Sequence, residues 1–232
     1  MTPTHPSPAP QPGPETPVPT YAAAFEVLRV DGAATADALA GLVAREVAAW
    51  VGEAPGFLLS RVHVALDGRA VVHHTRWRDE AGYRTYLGHP RAGALRDLDR
   101  RPGVVSAAVF AGTPAGGIAG PAAGRAPGVV AVATRHLAGP QQAGEVLGLL
   151  HRTGAWKRDF PGFISATPYL SPDRRTFVNY PMWTDRAAYD AWMADPRIAE
   201  GQSEVARFET APPEYLVCTV TCETSAPSAA AG

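Results

Sequence analysis

This chain of 232 residues has one lysine (Lys157), one asparagine (Asn179), two cysteines and three methionines. Each scarcity excludes something. A lone lysine beside twenty arginines, a formal net charge of -1 and no basic run or stripe argue against nucleic acid as the main partner. Phosphate binding needs clustered cations. Cys218 and Cys222 stand on one expected strand, too far apart for a disulfide within it. No set of soft ligands stands near them for a zinc site. No apolar run approaches the roughly 20 residues of a membrane span, and no GxGxxG dinucleotide fingerprint occurs. The first twenty residues hold eight prolines but no basic start followed by an apolar stretch, so they do not read as a signal peptide. The expectation is a cytoplasmic protein with a disordered Pro-rich leader over 1–20.

What is present instead is a repetition. Shifting the sequence by 106 residues gives a gap-free match. Trp50 falls on Trp156, Pro55-Gly56-Phe57 on Pro161-Gly162-Phe163, Trp77 on Trp183, Asp79 on Asp185, Tyr83 on Tyr189 and Pro90-Arg91 on Pro196-Arg197. A period of that length is a tandem duplication and not a solenoid. The expected division is a domain over 21–111, a Gly/Ala/Pro linker over 112–128, a second domain over 129–223 and a disordered tail over 224–232. Two domains of about 100 residues suit the size prior.

Both copies read in the same order. A short strand (from Ala23 or Val129) precedes an amphipathic helix (from Thr35 or Gln141), in which Leu39, Leu42, Val43, Val47 and Trp50 recur at helical spacing. Pro-Gly-Phe launches a second strand, a turn at Asp67-Gly68 or Pro172-Asp173 reverses it, and a third strand runs to Trp77 or Trp183. Asp79 and Asp185 suit helix starts, because a carboxylate there accepts orphan backbone N–H groups. Pro90 and Pro196 break the second helix. A last apolar strand closes each copy, Val104 to Phe110 or Tyr215 to Cys222. The order β-α-β-β-α-β is the ferredoxin-like plan, an α+β fold. One such sheet has a bare face, and the second copy in the same chain covers it. The expected whole is an intramolecular pseudo-dimer forming an α/β barrel, as a monomer or a further homodimer.

Strand alternation puts Asn179 and Trp183 on one face, with Tyr189 in the first turns of the following helix. An amide, an indole N–H and a phenol in an aromatic space suit oxyanion stabilisation on a flat aromatic substrate. The alternative is plain core packing, since large aromatics dominate cores whatever the function. Asn179 resists that reading more than the others, as Asn is disfavoured in an apolar strand. The first copy carries His73, Trp77 and Tyr83 at these positions. His73 and His74 point to opposite faces, and His63 and its counterpart Tyr169 line the same cavity if they face inward.

The pattern Asn-x3-Trp-x5-Tyr on a third strand and second helix resembles the antibiotic biosynthesis monooxygenase family of dimeric α/β barrels, which includes anthrone monooxygenases of aromatic polyketide pathways. The resemblance covers both copies. It implies that Asn179, Trp183 and Tyr189 are catalytic; beside it, His73 of the first copy is a candidate base because imidazole titrates near neutral pH, and Trp77, Tyr83, His63 and Tyr169 are candidate substrate contacts. The family's further arginine corresponds to Arg197 or Arg207. The implied reaction oxidises an aromatic polyketide with O2 and needs no metal and no bound cofactor. A variant uses diffusible reduced flavin from a partner flavin reductase to cleave a quinone ring, and a third reading is a non-catalytic polyketide-binding scaffold. Haem cleavage is disfavoured, because neither first strand carries an Asn and neither second helix a His before its proline.

Overall fold

The computed structural model describes residues 22–226. The Pro-rich leader and the end of the tail lie outside the described residues. Repeat one comprises β1 (Ala22–Val30), α1 (Ala33–Ala49), β2 (Phe57–Ala65), β3 (Ala70–Trp77), α2 (Glu80–Gly88), α3 (Gly93–Arg96) and β4 (Val104–Pro114). A two-residue strand, β5 (Ile118–Ala119), follows. Repeat two comprises β6 (Val129–Leu137), α4 (Pro140–Thr153), β7 (Phe163–Leu170), β8 (Thr176–Trp183), α5 (Arg186–Ala194), α6 (Pro196–Ala206) and β9 (Glu209–Ser225). The carboxylates of Asp79 and Asp185 cap α2 and α5 by accepting from the N–H groups of Gly82 and Ala188.

Each repeat has the ferredoxin-like strand order, β4-β1-β3-β2 and β9-β6-β8-β7. The two sheets join edge to edge. The second strand of repeat one pairs with the last strand of repeat two, from Leu59↔Ser225 to Ala65↔Cys218, and β4 pairs with β7 at Thr113↔Leu170 and Pro114↔Tyr169. This closes the sheet and removes its free edges. Helices cover the outside.

Period-2 alternation then sorts every strand residue into one of two compartments. The barrel interior holds Phe25, Val72, Val130, Tyr169, Val178, Tyr180 and Cys218. The helix-facing side of repeat one holds Leu28, Val43, Val62, Trp77 and Tyr86. That of repeat two holds Phe163, Phe177, Trp183 and Trp192.

Two expectations of disorder are corrected. Residues 112–128 are not a loose linker. They form the end of β4 and all of β5, and the latter pairs with Ala166 and Ser165. Glycine is needed there, because a Cβ on Gly112 would collide with the Leu170 carbonyl. Nor does the tail begin at 224: Thr224 and Ser225 pair with Ser60 and Leu59.

Candidate functional site

Odd-numbered residues of β8 face the helices. Trp183 and Asn179 therefore share the outer face, while Val178 and Tyr180 enter the barrel. Capping at Asp185 starts α5 two residues after Trp183 and swings Tyr189 over the indole. The two rings meet edge to face, with centroids 5.0 Å apart. Trp183 also packs on Trp192 and Phe163 and is 1% exposed. Its indole N–H is buried and, among the described residues, has no hydrogen-bond partner. Burial raises the Tyr189 phenol above its ordinary pKa, so it is a proton donor at neutral pH.

Asn179 is half-buried, between Pro168 on β7 and Ala133 on β6. Four residues along a strand span about 13 Å. The amide and the indole thus stand at the two ends of one outward row of β8, with Pro181 between them. Beyond Ala133 in the same cross-strand row lies Tyr215 of β9, 45% exposed. A cleft of about 290 Å³ opens beside Tyr189 and Tyr215, with Arg186 and Leu66 on its walls. That volume is at the low end for small-molecule pockets. Of the three expected residues, Tyr189 alone lines this cleft. Trp183 lies behind it, and Asn179 sits further along the face.

One residue beside this cleft escaped the sequence reading. Arg135 on β6 faces the helices, is buried, and donates to the Glu209 carboxylate and, at 2.6 Å, to the Tyr215 hydroxyl. A single charge in phase with the buried residues of an otherwise apolar strand was the available signal. The two arginines considered instead do not join the site. Exposed Arg197 lies on the Trp156 ring at 3.9 Å and bonds Asp195, and Arg207 is an exposed residue at the end of α6.

The first copy has lost the arrangement. His73 is fully enclosed, with its Nε2 3.0 Å from Ser60 Oγ. Burial, and then the neighbouring His63, push its pKa down to about 4. It is therefore not a base poised near neutral pH, and that expectation is corrected. Trp77 donates its N–H to Thr75 Oγ1 at 3.0 Å and stacks on Tyr86. It is core, not substrate wall. The counterparts of Thr75 and Ser60 at the 106-residue offset are Pro181 and Ala166. Neither side chain can accept a hydrogen bond, and the indole of repeat two is the one left unpaired. Tyr83 stays half-exposed over Trp77, with centroids 6.3 Å apart.

His63 and Tyr169 do not share the face of Asn179. Both face the barrel interior, on the opposite side of the sheet. His63 Nδ1 donates to the Val72 carbonyl, so its Nε2 accepts from the Tyr180 hydroxyl at 2.7 Å. His74 enters the same interior and stacks on Phe25 at 4.1 Å. Among the described residues no three His, Cys, Asp or Glu side chains gather as a metal-holding group, and no helix is long and apolar enough to cross a membrane.

Residues 129–204, most of repeat two, match the family model of antibiotic biosynthesis monooxygenases. A stretch of 41 residues is 49% identical to the tetracenomycin-F1 monooxygenase of Streptomyces glaucescens. It covers 18% of this chain and 37% of that protein, so the match spans little more than a third of the relative. An anthrone oxidase-like protein of known structure superposes with a TM-score of 0.76, over 90% of this chain and 94% of its own, at 16% identity. That likeness establishes the fold. A Streptomyces coelicolor monooxygenase solved with nanaomycin D is 33% identical, covering 44% of this chain and 94% of its own, with a TM-score of 0.42.

Proposed function

The chain belongs to the antibiotic biosynthesis monooxygenase family, and on that premise we propose that repeat two oxidises an aromatic polyketide of the anthrone type to a quinone with O2. One observation carries the reading. A buried indole N–H without a partner among the described residues, beside a protonated phenol and a half-buried amide, stands in repeat two, while in repeat one the equivalent indole is tied to Thr75 and the equivalent imidazole to Ser60. An unpaired buried donor costs about 1–3 kcal/mol, and a ligand oxygen that accepts from it recovers that cost. The tetracenomycin-F1 relative supports a polycyclic aromatic substrate.

The chemistry follows from the substrate's acidity. An anthrone loses a proton from its central methylene to give an electron-rich oxyanion. Donors on that oxygen favour the anion. Hydrogen bonds to a charged group contribute about 1.5–3 kcal/mol each, and one pKa unit is about 1.4 kcal/mol. One donor on the oxyanion therefore lowers the substrate pKa by roughly 1–2 units and favours release of the proton to water. The anion gives one electron to O2, the radicals combine at the methylene carbon, and the hydroperoxide loses water to leave the carbonyl. One O2 is consumed for each CH2 converted to C=O, with one H2O released. In this scheme Trp183 donates to the oxyanion, Asn179 donates to a different oxygen towards the far end of the polycycle, and Tyr189 protonates the departing hydroxide. The aromatic wall of Trp183, Trp192 and Tyr189 keeps bulk water from the peroxide. No metal and no bound cofactor is required.

The test is oxygen uptake with 1,8-dihydroxyanthrone, with and without FMN, NADH and a flavin reductase. The expected result is stoichiometric quinone without the flavin system, and a fall of about 10²-fold in kcat for Asn179→Leu. Turnover that needs the reductase replaces this reading with the flavin-dependent one. Ligand binding without turnover under either condition leaves a scaffold.

A further inference from the structure

The two repeats leave the same strip of surface bare. Leu87 and Val109 in repeat one, and Met193 and Tyr215 in repeat two, are large apolar side chains exposed to solvent. Each pair is related by the 106-residue offset, as are Tyr83 and Tyr189. Tyr83 and Leu87 stand one turn apart on α2 and share a face. Val109 lies on the helix-facing side of β4, where it is 64% exposed. Exposed apolar side chains thus stand on both α2 and β4, the two walls of the slot inferred below.

Its floor differs from that of repeat two. Glu26 of β1 pairs with Val109 on one side and with His73 on the other, which is the position Ala133 takes opposite Asn179. Among the described residues Glu26 enters no ion pair and no side-chain hydrogen bond. The groups it senses are the Asp99 carboxylate and the Tyr83 and Tyr86 phenols. His73, its cross-strand neighbour, is tied to Ser60, and the Trp77 N–H is tied to Thr75. So repeat two offers an indole and an amide donor (Trp183, Asn179), whereas in repeat one the equivalent indole and imidazole are tied up and Glu26 stands as a bare acceptor.

The geometry points to a second ligand site in repeat one, of opposite hydrogen-bonding sense. The slot takes a flat, uncharged aromatic compound that donates a phenolic O–H to Glu26 while its ring lies against Tyr83, Leu87 and Val109. Anions are rejected by Glu26 and Asp99. Burial and Asp99 together raise the Glu26 carboxyl to about 7, the mark of an acid without a donor to stabilise its charge. The Tyr83 and Leu87 wall supplies apolar contact, and Glu26 supplies orientation.

Calorimetric titration of the full chain with two probes tests this. 2,6-Dihydroxyanthraquinone, with two free phenols, is expected to bind at two sites per chain. Anthraquinone-2-sulfonate is expected to bind at one, on the Arg135 side. Val109→Trp fills the first slot from an exposed position, so it should reduce the first probe to one site while 1,8-dihydroxyanthrone oxidation stays within twofold of wild type. Glu26→Gln removes the charge. It should weaken the phenol at that site about tenfold and admit the sulfonate as a second ligand. A single phenol site in wild type overturns the inference, as does a stoichiometry of two that survives Val109→Trp. A Val109→Trp variant that changes the oligomeric state by light scattering without changing ligand stoichiometry also overturns it, and assigns the strip to a second copy of the chain. Two-site binding without turnover sinks the oxidase reading and leaves this one standing. Turnover with one site does the reverse.

Discussion

Replacing Trp183 by Phe separates a functional indole from a structural one. Phe keeps an aromatic ring against Tyr189, Trp192 and Phe163 but cannot donate. Two terms oppose each other in stability. The wild-type fold carries a buried unpaired N–H, and its removal returns about 1–3 kcal/mol. The smaller ring leaves a void of a few tens of Å³ and loses transfer energy, at about 24 cal/mol per Å³ of cavity, which comes to about 1–2 kcal/mol in all. The net change should lie within about 1 kcal/mol, or about 2–4 °C in Tm for a chain of this size. Turnover of 1,8-dihydroxyanthrone should fall about 10²–10³-fold, the usual cost of one oxyanion donor. Trp77→Phe is the matched control. It makes the same void but also breaks the Trp77–Thr75 bond, so it should cost about 2–3 kcal/mol and leave turnover intact. Differential scanning calorimetry and oxygen uptake on the two variants decide the matter. If Trp183→Phe melts as low as Trp77→Phe and still turns over, the unpaired donor has no part in the chemistry.

Three further outcomes are expected. His63 and His73 titrate at about 4 in the fold and His74 well below its ordinary value of 6.5, chiefly through burial. The unfolded chain therefore binds more protons below pH 6.5, and stability, complete above that value, falls as pH drops towards 4, by at most about 1.4 kcal/mol per unit for each histidine. His74→Phe should make urea midpoints measured from pH 7 to 4 less steep, and an unchanged slope would show that His74 is not among the titrating groups. Arg135→Met strands the buried Glu209 carboxylate and should cost about 3–5 kcal/mol. The double variant with Glu209→Met should regain most of it in denaturant titrations, and a single variant as stable as wild type would contradict the burial of the pair.

Much of this was legible in the residues. Repetition at 106 residues, caps at Asp79 and Asp185 and the Pro-Gly-Phe turns fixed two β-α-β-β-α-β units, because turns and caps act within a few residues. Alternation on β8 put Asn179 and Trp183 on one face for the same reason. Glu26 and Arg135 went unnoticed because a charge in a strand reads as solvent-facing unless the phase of burial is known. The 112–128 segment looked like a linker because glycine and alanine signal flexibility locally. Here they allow a close strand contact that depends on β7, some 50 residues away.

His63 and Tyr169 were placed with Asn179 because sequence alternation gives two faces without saying what each face meets. Barrel closure through β2–β9 and β4–β7 decided that one face is a shared interior and the other belongs to each repeat's own helices. The sequence by itself determined the elements, their order and the aromatic content of the sites. Only the tertiary structure decided which of two identical indoles keeps a free N–H. That depends on whether a side chain from the same or a neighbouring strand reaches it, and hydrogen-bond satisfaction is a property of packed neighbours, not of residue type.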